Sequence, residues 1–361
     1  MNILHTETLK RWGGQQNRVL TESIGLGRRG HYAVIACQKG SVLAEKANKA
    51  GIHVYELNMG KGAYLKTIPQ LTDIIRRENI DIVSTHSSVD SWAGGIAAKL
   101  TGRKLVRFRH NIYLIGRGPL AKLIYTMPDG FIVTGRVVKD ILMNRGVEEK
   151  KISVIPSSVD IERYNAQVIK DIRKETGIPA DALVIGNTST FADVKGQEFL
   201  FQAFNIIHRH VPSFMLFAGS IEEPFRSQYL SHVNTELRDK VVFLGHRDDI
   251  PRVLKTIDIF VFPSVIESTS TALLEAMAME KPIAISDIPA LRDVVIDKET
   301  GLFFKVENPQ DIAEKVLFLM RNTDMKERLG RNARDTIMER FTIDRMLDLT
   351  ETRYREVFNA V

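Results

Sequence analysis

The 361-residue chain has a single cysteine, Cys37, so no disulfide can form within it and a reducing compartment is expected. Aromatic residues make up 7% and are nowhere interleaved with a run of basic residues, so nucleic acid is a poor fit as a partner. No apolar run approaches the ~20 residues of a membrane-spanning helix. The start, MNILHTETLKRWGG, lacks the charged-then-apolar order of a secretion signal. No Asp-x-Asp pair stands beside a strand end with supporting ligands, so no metal site is expected. Together these absences lead us to expect a cytoplasmic protein.

What is present fits a soluble globular protein, with 44% hydrophobic and 26% charged residues. The length favours two domains. Charge is uneven. Residues 1–165 carry net +11 and the remainder net −5. A basic first half suits an anionic partner or an anionic membrane surface, and a scatter of solvated lysines and arginines would look the same.

The stretch Phe260 to Leu302 organises the chain. Ile257 to Phe262 reads as a buried strand, ended by Pro263. A loop carries Glu267, followed by the hydroxyl run Ser268, Thr269, Ser270 and Thr271. A helix-forming run, ALLEAMAME, precedes a strand from Pro282 to Ser286. A helix start has free N–H groups and a positive dipole end, which suit phosphate, and serine or threonine there can cap the helix or donate to phosphate oxygens. Glu275 sits among Leu273, Leu274, Ala276 and Met277, where a carboxylate is costly unless hydrogen-bonded. A capping-box role wants serine or threonine three residues earlier, and position 272 is alanine. Two hydroxyls of a sugar or ribose diol can both donate to such a carboxylate.

Glu267 and Glu275, eight residues apart, with the hydroxyl run, the flanking strands and Thr300-Gly301-Leu302, resemble the donor-site signature of retaining glycosyltransferases of family four, which have the GT-B fold. The form ESTSTALLEAMAMEKPIAISD is most similar to members that build bacterial surface polysaccharide and lipopolysaccharide core. The resemblance implies that Glu275 and the residues around Leu273 hold the nucleotide, that Glu267 bonds the sugar hydroxyls, and that the hydroxyl run serves the diphosphate. It implies no metal and no cofactor beyond a nucleoside-diphosphate sugar as donor substrate.

The rest of the chain extends the resemblance. Gly13-Gly14 lies between a first strand (2–5) and a helix (15–26), where glycines let backbone approach a ligand, although a plain turn would look the same. In the family this loop lies near acceptor and donor phosphate. His86 and Arg109-His110-Asn111 fall at strand ends, where ligands gather in parallel sheets. His110 occupies the place of a family histidine that contacts the donor sugar and helps position the acceptor. Residues 112–127, with Arg117 and Lys122, read as a core helix or as a basic membrane-touching segment. After VIPSSVD (154–160) a charged helix is expected as the linker.

In the second half, Lys195-Gly196 before a helix resembles the diphosphate-binding element, but Thr190 stands where the family has arginine. Loss of that cation should weaken transition-state stabilisation, and Arg292 is a candidate substitute. Gly219 ends a strand, and the Gly245 loop with His246 and Arg247 is placed where the family cups the base. Asp248-Asp249 reads as a helix cap. Glu280 stands where the family has glycine.

The expected fold is α/β: two Rossmann-like doubly wound domains of a GT-B protein facing across a cleft. The boundaries are 1–165, joined by the C-terminal helix 345–361, and 166–344. The expected activity is sugar transfer with retention from a nucleoside-diphosphate sugar to a glycan or lipid-linked, anionic acceptor, with peripheral contact to anionic membrane. His110, Glu267 and Lys195 are the candidate catalytic residues. The alternatives are a nucleotide-sugar epimerase, a phosphorylase of the same layout, and a non-catalytic sugar-nucleotide-binding subunit.

Overall fold

The structure, a computed structural model, describes all residues except Lys61, residues 114–117 and Val361, and the side chains of residues 119–121. It divides into two units, Met1–Ser158 with Ile343–Val361, and Val159–Thr342.

The first unit alternates strand and helix: β1 (Asn2–Glu7), α1 (Gly14–Arg28), β2 (Tyr32–Gln38), α2 (Val42–Lys49), β3 (His53–Leu57), α3 (Tyr64–Arg77), β4 (Ile82–Thr85), α4 (Ser88–Leu100), β5 (Lys104–Arg109), α5 (Pro119–Thr126), β6 (Gly130–Val133), α6 (Arg136–Met143) and β7 (Ile152–Val154). The strands form one parallel sheet in the order β3-β2-β1-β4-β5-β6-β7. Strand order therefore reverses between β1 and β4. Helices cover both faces of such a sheet, so its strands are apolar along most of their length. β2 is buried from Ala33 to Cys37, and β6 is wholly buried. β1 departs from this rule, because His5, Thr6 and Glu7 are polar and fully buried.

The second unit contains α7 (Arg173–Thr176), β8 (Leu183–Asn187), α8 (Gln197–His210), β9 (Ser213–Phe217), α9 (Phe225–Ser231), β10 (Val241–Phe243), α10 (Ile250–Thr256), β11 (Ile259–Phe262), α11 (Thr271–Ala278), β12 (Ile283–Ser286), β13 (Leu302–Phe304), α12 (Pro309–Arg321) and α13 (Thr323–Arg340). Its parallel sheet runs β10-β9-β8-β11-β12-β13, with the reversal between β8 and β11. The last helix, α14 (Ile343–Asn359), packs on α1 and β5 of the first unit and contributes Met346, Leu347, Tyr354 and Val357 to its core.

Two local expectations fail. The charged helix after VIPSSVD is reduced to the four residues of α7. Asp160 accepts from the N–H groups of Glu162 and Arg163, and Asn165 accepts from that of Gln167. These side-chain turns compete with helix formation. Asp249 stands at the start of α10 but its side chain caps nothing. It is taken instead by Arg247, at 2.7 Å from each carboxylate oxygen.

Glu280 adopts a left-handed backbone (φ 56°), which explains why glycine suits that place. Its carbonyl abuts α13, where a Cβ on Gly330 would lie 2.3 Å from the Glu280 oxygen. Gly330→Ala should therefore cost about 2 kcal/mol or more, because a backbone atom already held in an uncommon conformation must move. Urea unfolding checks this, and an unchanged midpoint would mean that α11 and α13 have slack where they cross.

Candidate active site

In an open parallel sheet the loops leaving the strands emerge together, and the gap at the order reversal admits a ligand. In the second unit the two loops at that gap follow β8 and β11. The first carries Thr190 and Lys195, the second Glu267 and the hydroxyl run. Lys195 closes a single 3-10 turn, Asp193–Lys195, and Gly196 follows at φ 61°. A Cβ there would lie 2.2 Å from the Pro263 carbonyl oxygen, so the turn sits directly on the end of β11. The Val194 carbonyl accepts from the N–H groups of Val265 (2.9 Å) and Ile266 (3.2 Å), which bolts the two loops together. The result is a direct ion pair: Lys195 Nζ lies 2.5 Å from Glu267 Oε2. Glu267 Oε1 also accepts from the N–H of Ser268.

Ser270 is the residue before α11, and its side chain does not cap the helix. No acidic residue occupies the first turn, so the positive end of the helix is not neutralised locally. Ser268 and Ser270 are buried, and Thr269 and Thr271 are half-buried. The Leu273 side chain is fully buried in the core, so of the residue only its backbone, in the first turn, remains as a ligand group. Glu275 lies one turn further on, and Tyr164 hydrogen-bonds to its carboxylate. Burial pushes the Glu275 carboxyl up to about 7, against the smaller lowering effects of that hydrogen bond and of Arg163. The same contact, together with burial, pushes the Tyr164 phenol up.

Other expected residues are spread along the same sheet edge. Gly219 follows β9, and its N–H donates to the Gly245 carbonyl after β10 (2.8 Å). Thr190 is exposed, and its carbonyl accepts from Gln197 Nε2 at 3.0 Å. His246 is exposed. Arg247 is committed to Asp249 and to Glu175 (2.7 Å). Arg292 does not stand free for a phosphate: it pairs with Asp287 through two hydrogen bonds, of 2.6 and 2.8 Å. Sequence reasoning missed Thr188, Ser189 and Ser264. Their side-chain oxygens are buried with no hydrogen-bond partner among the described residues, in the loops that leave β8 and β11. Unpaired buried hydroxyls are uncommon and mark ligand positions or bound water. Their only sequence signal is position after a strand.

In the first unit the order reversal lies between the loops after β1 and β4. Gly13 precedes α1 in an extended conformation that any residue adopts, and its Cβ would meet only the Gln16 side chain at 3.3 Å. The α1 start has no side-chain cap and no acid in its first turn. His86 and His110 follow β4 and β5, with His86 Nδ1 3.0 Å from His110 Nε2. Both rings stack on Phe108, and burial holds both imidazoles well below the usual histidine range, so both are neutral. Lys122 on α5 is exposed while Ile124 and Tyr125 are buried, and Arg117 lies outside the described residues. No group of three or more potential metal ligands and no helix long and apolar enough to cross a membrane occurs among the described residues.

Family models agree with this architecture. Residues 12–163 match Glycosyltransferase Family 4, and residues 168–336 match Glycosyl transferases group 1. The chain belongs to glycosyltransferase family four. This transferase is 28% identical over 310 residues to UDP-Gal:alpha-D-GlcNAc-diphosphoundecaprenol alpha-1,3-galactosyltransferase of Escherichia coli, covering 80% of this chain and 79% of that protein. It is 26% identical over 299 residues to N-acetyl-alpha-D-glucosaminyl L-malate synthase of Bacillus anthracis, covering 80% and 78%. A solved glycosyltransferase from Rickettsia africae superposes with a TM-score of 0.92 at 23% identity, covering 100% of this chain and 99% of that one. The transferase thus has the expected two-domain GT-B fold.

The raised Glu275 carboxyl has a consequence for stability. Its folded pKa, about 7, exceeds the unfolded value of 4.5, so the protein binds more protons folded than unfolded between these values. Its favourable contribution is complete below pH 4.5 and is lost as pH rises through 7. Glu275→Gln should therefore raise stability at pH 8 by roughly 2 kcal/mol and have little effect at pH 4.5. Thermal melts at the two pH values check this, and an equal shift at both would show that Glu275 is not held uncharged by burial.

Proposed function

We propose that the enzyme transfers a sugar, with retention of configuration, from a uridine-diphosphate sugar to an anionic, lipid-linked glycan acceptor during assembly of a bacterial surface polysaccharide. The observation that carries this reading is the Lys195–Glu267 pair at the order reversal of the second sheet. In a nucleoside-diphosphate sugar the phosphate and the sugar hydroxyls are neighbours. An ammonium and a carboxylate held within one contact of each other match both. Lys195 would turn to the diphosphate, and Glu267 would accept from the sugar hydroxyls. Glu275, oriented by Tyr164, would accept from the ribose diol. The free N–H groups at the start of α11 would take phosphate oxygens.

In the reaction the bond between C1 and the phosphate oxygen breaks, and the acceptor oxygen bonds C1 on the same face. The departing phosphate takes the acceptor proton. Lys195 and the helix start lower the barrier by stabilising charge that grows on the phosphate. The donor base follows the Escherichia coli relative, whose name specifies UDP-galactose and a diphosphoundecaprenol-linked acceptor. The net +11 of residues 1–165 favours an acceptor or membrane surface of negative charge.

A thermal-shift series with UDP-, GDP-, ADP- and dTDP-sugars tests the donor. A UDP-sugar at a hundred times its dissociation constant should stabilise the protein by about 2.7 kcal/mol, and Lys195→Ala should remove most of that shift. A shift with another base alone would reassign the donor. No shift with any of the four would overturn the reading.

A further inference from the structure

Four arginines are buried among the described residues: Arg18, Arg107, Arg109 and Arg353. Two of them meet a carboxylate. Arg18 Nε lies 3.0 Å from Glu22 Oε2, and Arg353 Nη1 lies 3.0 Å from Glu356 Oε2. Arg107 and Arg109 are only 2% and 6% exposed, and among the described residues they bond to carbonyls alone. Arg107 Nη1 donates to the Ile124 carbonyl in the last turn of α5 (3.0 Å), and its guanidinium carbon is 5.9 Å from the centre of the Tyr125 ring. Arg109 Nη2 donates to the Asn111 carbonyl (3.4 Å) and to that of Tyr113. The Nε atoms of both are buried with no hydrogen-bond partner among the described residues.

Bonding carbonyls satisfies some of these N–H groups but neutralises no charge. The two residues stand two positions apart on β5, so their side chains leave one face of the sheet from Cα atoms about 7 Å apart. Burial, and then the neighbouring charge of Arg109, push the Arg107 guanidinium down to about 9, so it keeps its charge at pH 7. Asp90 is the carboxyl whose field reaches Arg107. Its oxygens are already taken by the Thr6 hydroxyl and by the N–H groups of His86 and Ser87. A buried cation without a counter-charge is costly, and two side by side are more so.

We propose that Arg107 and Arg109 form an oxyanion site at the carboxyl end of β5 that takes a phosphate or diphosphate group. Nε and Nη2 share one edge of a guanidinium. On Arg107 that edge makes no hydrogen bond to the described residues, and it matches two oxygens of one phosphate. Two cations call for two negative charges, which a phosphate dianion or a diphosphate carries and a single carboxylate does not. The place is suitable: β5 adjoins β4, one of the two strands at the order reversal, and ligands of parallel sheets gather at strand carboxyl ends. Asn111 and Tyr113, whose carbonyls Arg109 holds, are exposed, so the surface lies just beyond the pair. The phosphate could belong to a diphosphate-linked acceptor or be free in solution.

The experiment uses full-length protein with 15N-labelled arginine and follows the Nε–H signals during titration with inorganic pyrophosphate, with sodium chloride of equal ionic strength as control. Two slowly exchanging signals, assigned by their loss in Arg107→Lys and Arg109→Lys, should move downfield together and saturate with one dissociation constant. Arg107→Lys keeps the charge but has no fork, and it should weaken the constant read at Arg109 about tenfold. Lys195→Ala alters the donor site in the second unit and should change the constant read at Arg107 less than about twofold. If no slowly exchanging Nε–H signal of the wild type moves with pyrophosphate, or if sodium chloride moves them equally, the proposal is overturned without any variant having to fold.

Activity separates the two sources. If the phosphate is the acceptor's, Arg107→Lys should raise KM about tenfold for a glycan on a prenyl diphosphate and less than about twofold for the same glycan on an uncharged alkyl chain. Equal changes in KM, with the signals still moving, assign the site to free phosphate. This second arm rests on the transferase reading above and the titration does not, so failure of the donor screen and failure of the anion site are read separately.

Discussion

Parallel strand pairing is the constraint on which the rest of the structure depends. Every strand in both sheets runs the same way, so each strand-to-helix loop leaves from the same edge. The side chains that could do chemistry follow the strands: Lys195 after β8, Glu267 after β11, His86 after β4 and His110 after β5. The reversal of strand order then selects which pair of loops can close on one ligand. In the second unit these are the loops after β8 and β11, and they are the ones joined by the Val194 carbonyl and by the Lys195–Glu267 contact. An antiparallel sheet of the same residues would put these loops on opposite edges.

The same architecture buries polar groups at a cost. Helices on both faces leave the strand ends dry, so a carboxyl or imidazole there loses hydration. Glu275 responds by holding a proton up to about 7, and the histidines by refusing one. Glu7, buried beside Asp90 at the end of β1, is likewise raised to about 7, chiefly by burial and then by that neighbour. These groups are destabilising compared with apolar residues of similar size. Their hydrogen bonds to Tyr164, to neighbouring rings and to Gln15 only partly offset the loss. A fold selected for stability alone would not keep them, which is itself a physical reason to look for function at the strand ends.

The alternation of apolar runs and amphipathic segments was sufficient to read the two sheets, because parallel strands are apolar along most of their length and their spacing leaves room only for crossover helices. The glutamates and Lys195 were legible because they stand in a recognisable order around a strand, a loop and a helix start. What was not legible depends on contacts between distant segments. Arg247 looks like a base-binding residue until Asp249 and Glu175 take it. Leu273 looks like a neighbour of the donor until its side chain is found in the core. The contact between His86 and His110 needs the ends of β4 and β5 side by side, and nothing local to either residue announces the other. The helix after residue 160 failed for the opposite reason: helix-forming composition lost to short-range bonds from Asp160 and Asn165.

The missing arginine at position 190 narrows how diphosphate charge can be met in the proposed reaction. Arg247 and Arg292 both belong to the second unit, and both are held by two bonds to a carboxylate. Moving either to a phosphate would strand its partner, and Asp249 or Asp287 would then repel the substrate. Lys195 differs, because the partner it leaves is Glu267, which can turn from the ammonium to the sugar hydroxyls as the donor arrives. Exchange of one partner for another keeps both charges satisfied throughout. The remaining charge would fall to neutral donors, the N–H groups that open α11 and the hydroxyls of Thr188, Ser189 and Ser264, which have no partner among the described residues. Each is weaker than a guanidinium, but each is fixed by the fold before the substrate binds and costs no reorganisation as charge develops. In the proposed reaction Lys195, together with several rigid neutral donors, would therefore be a coherent replacement for the arginine.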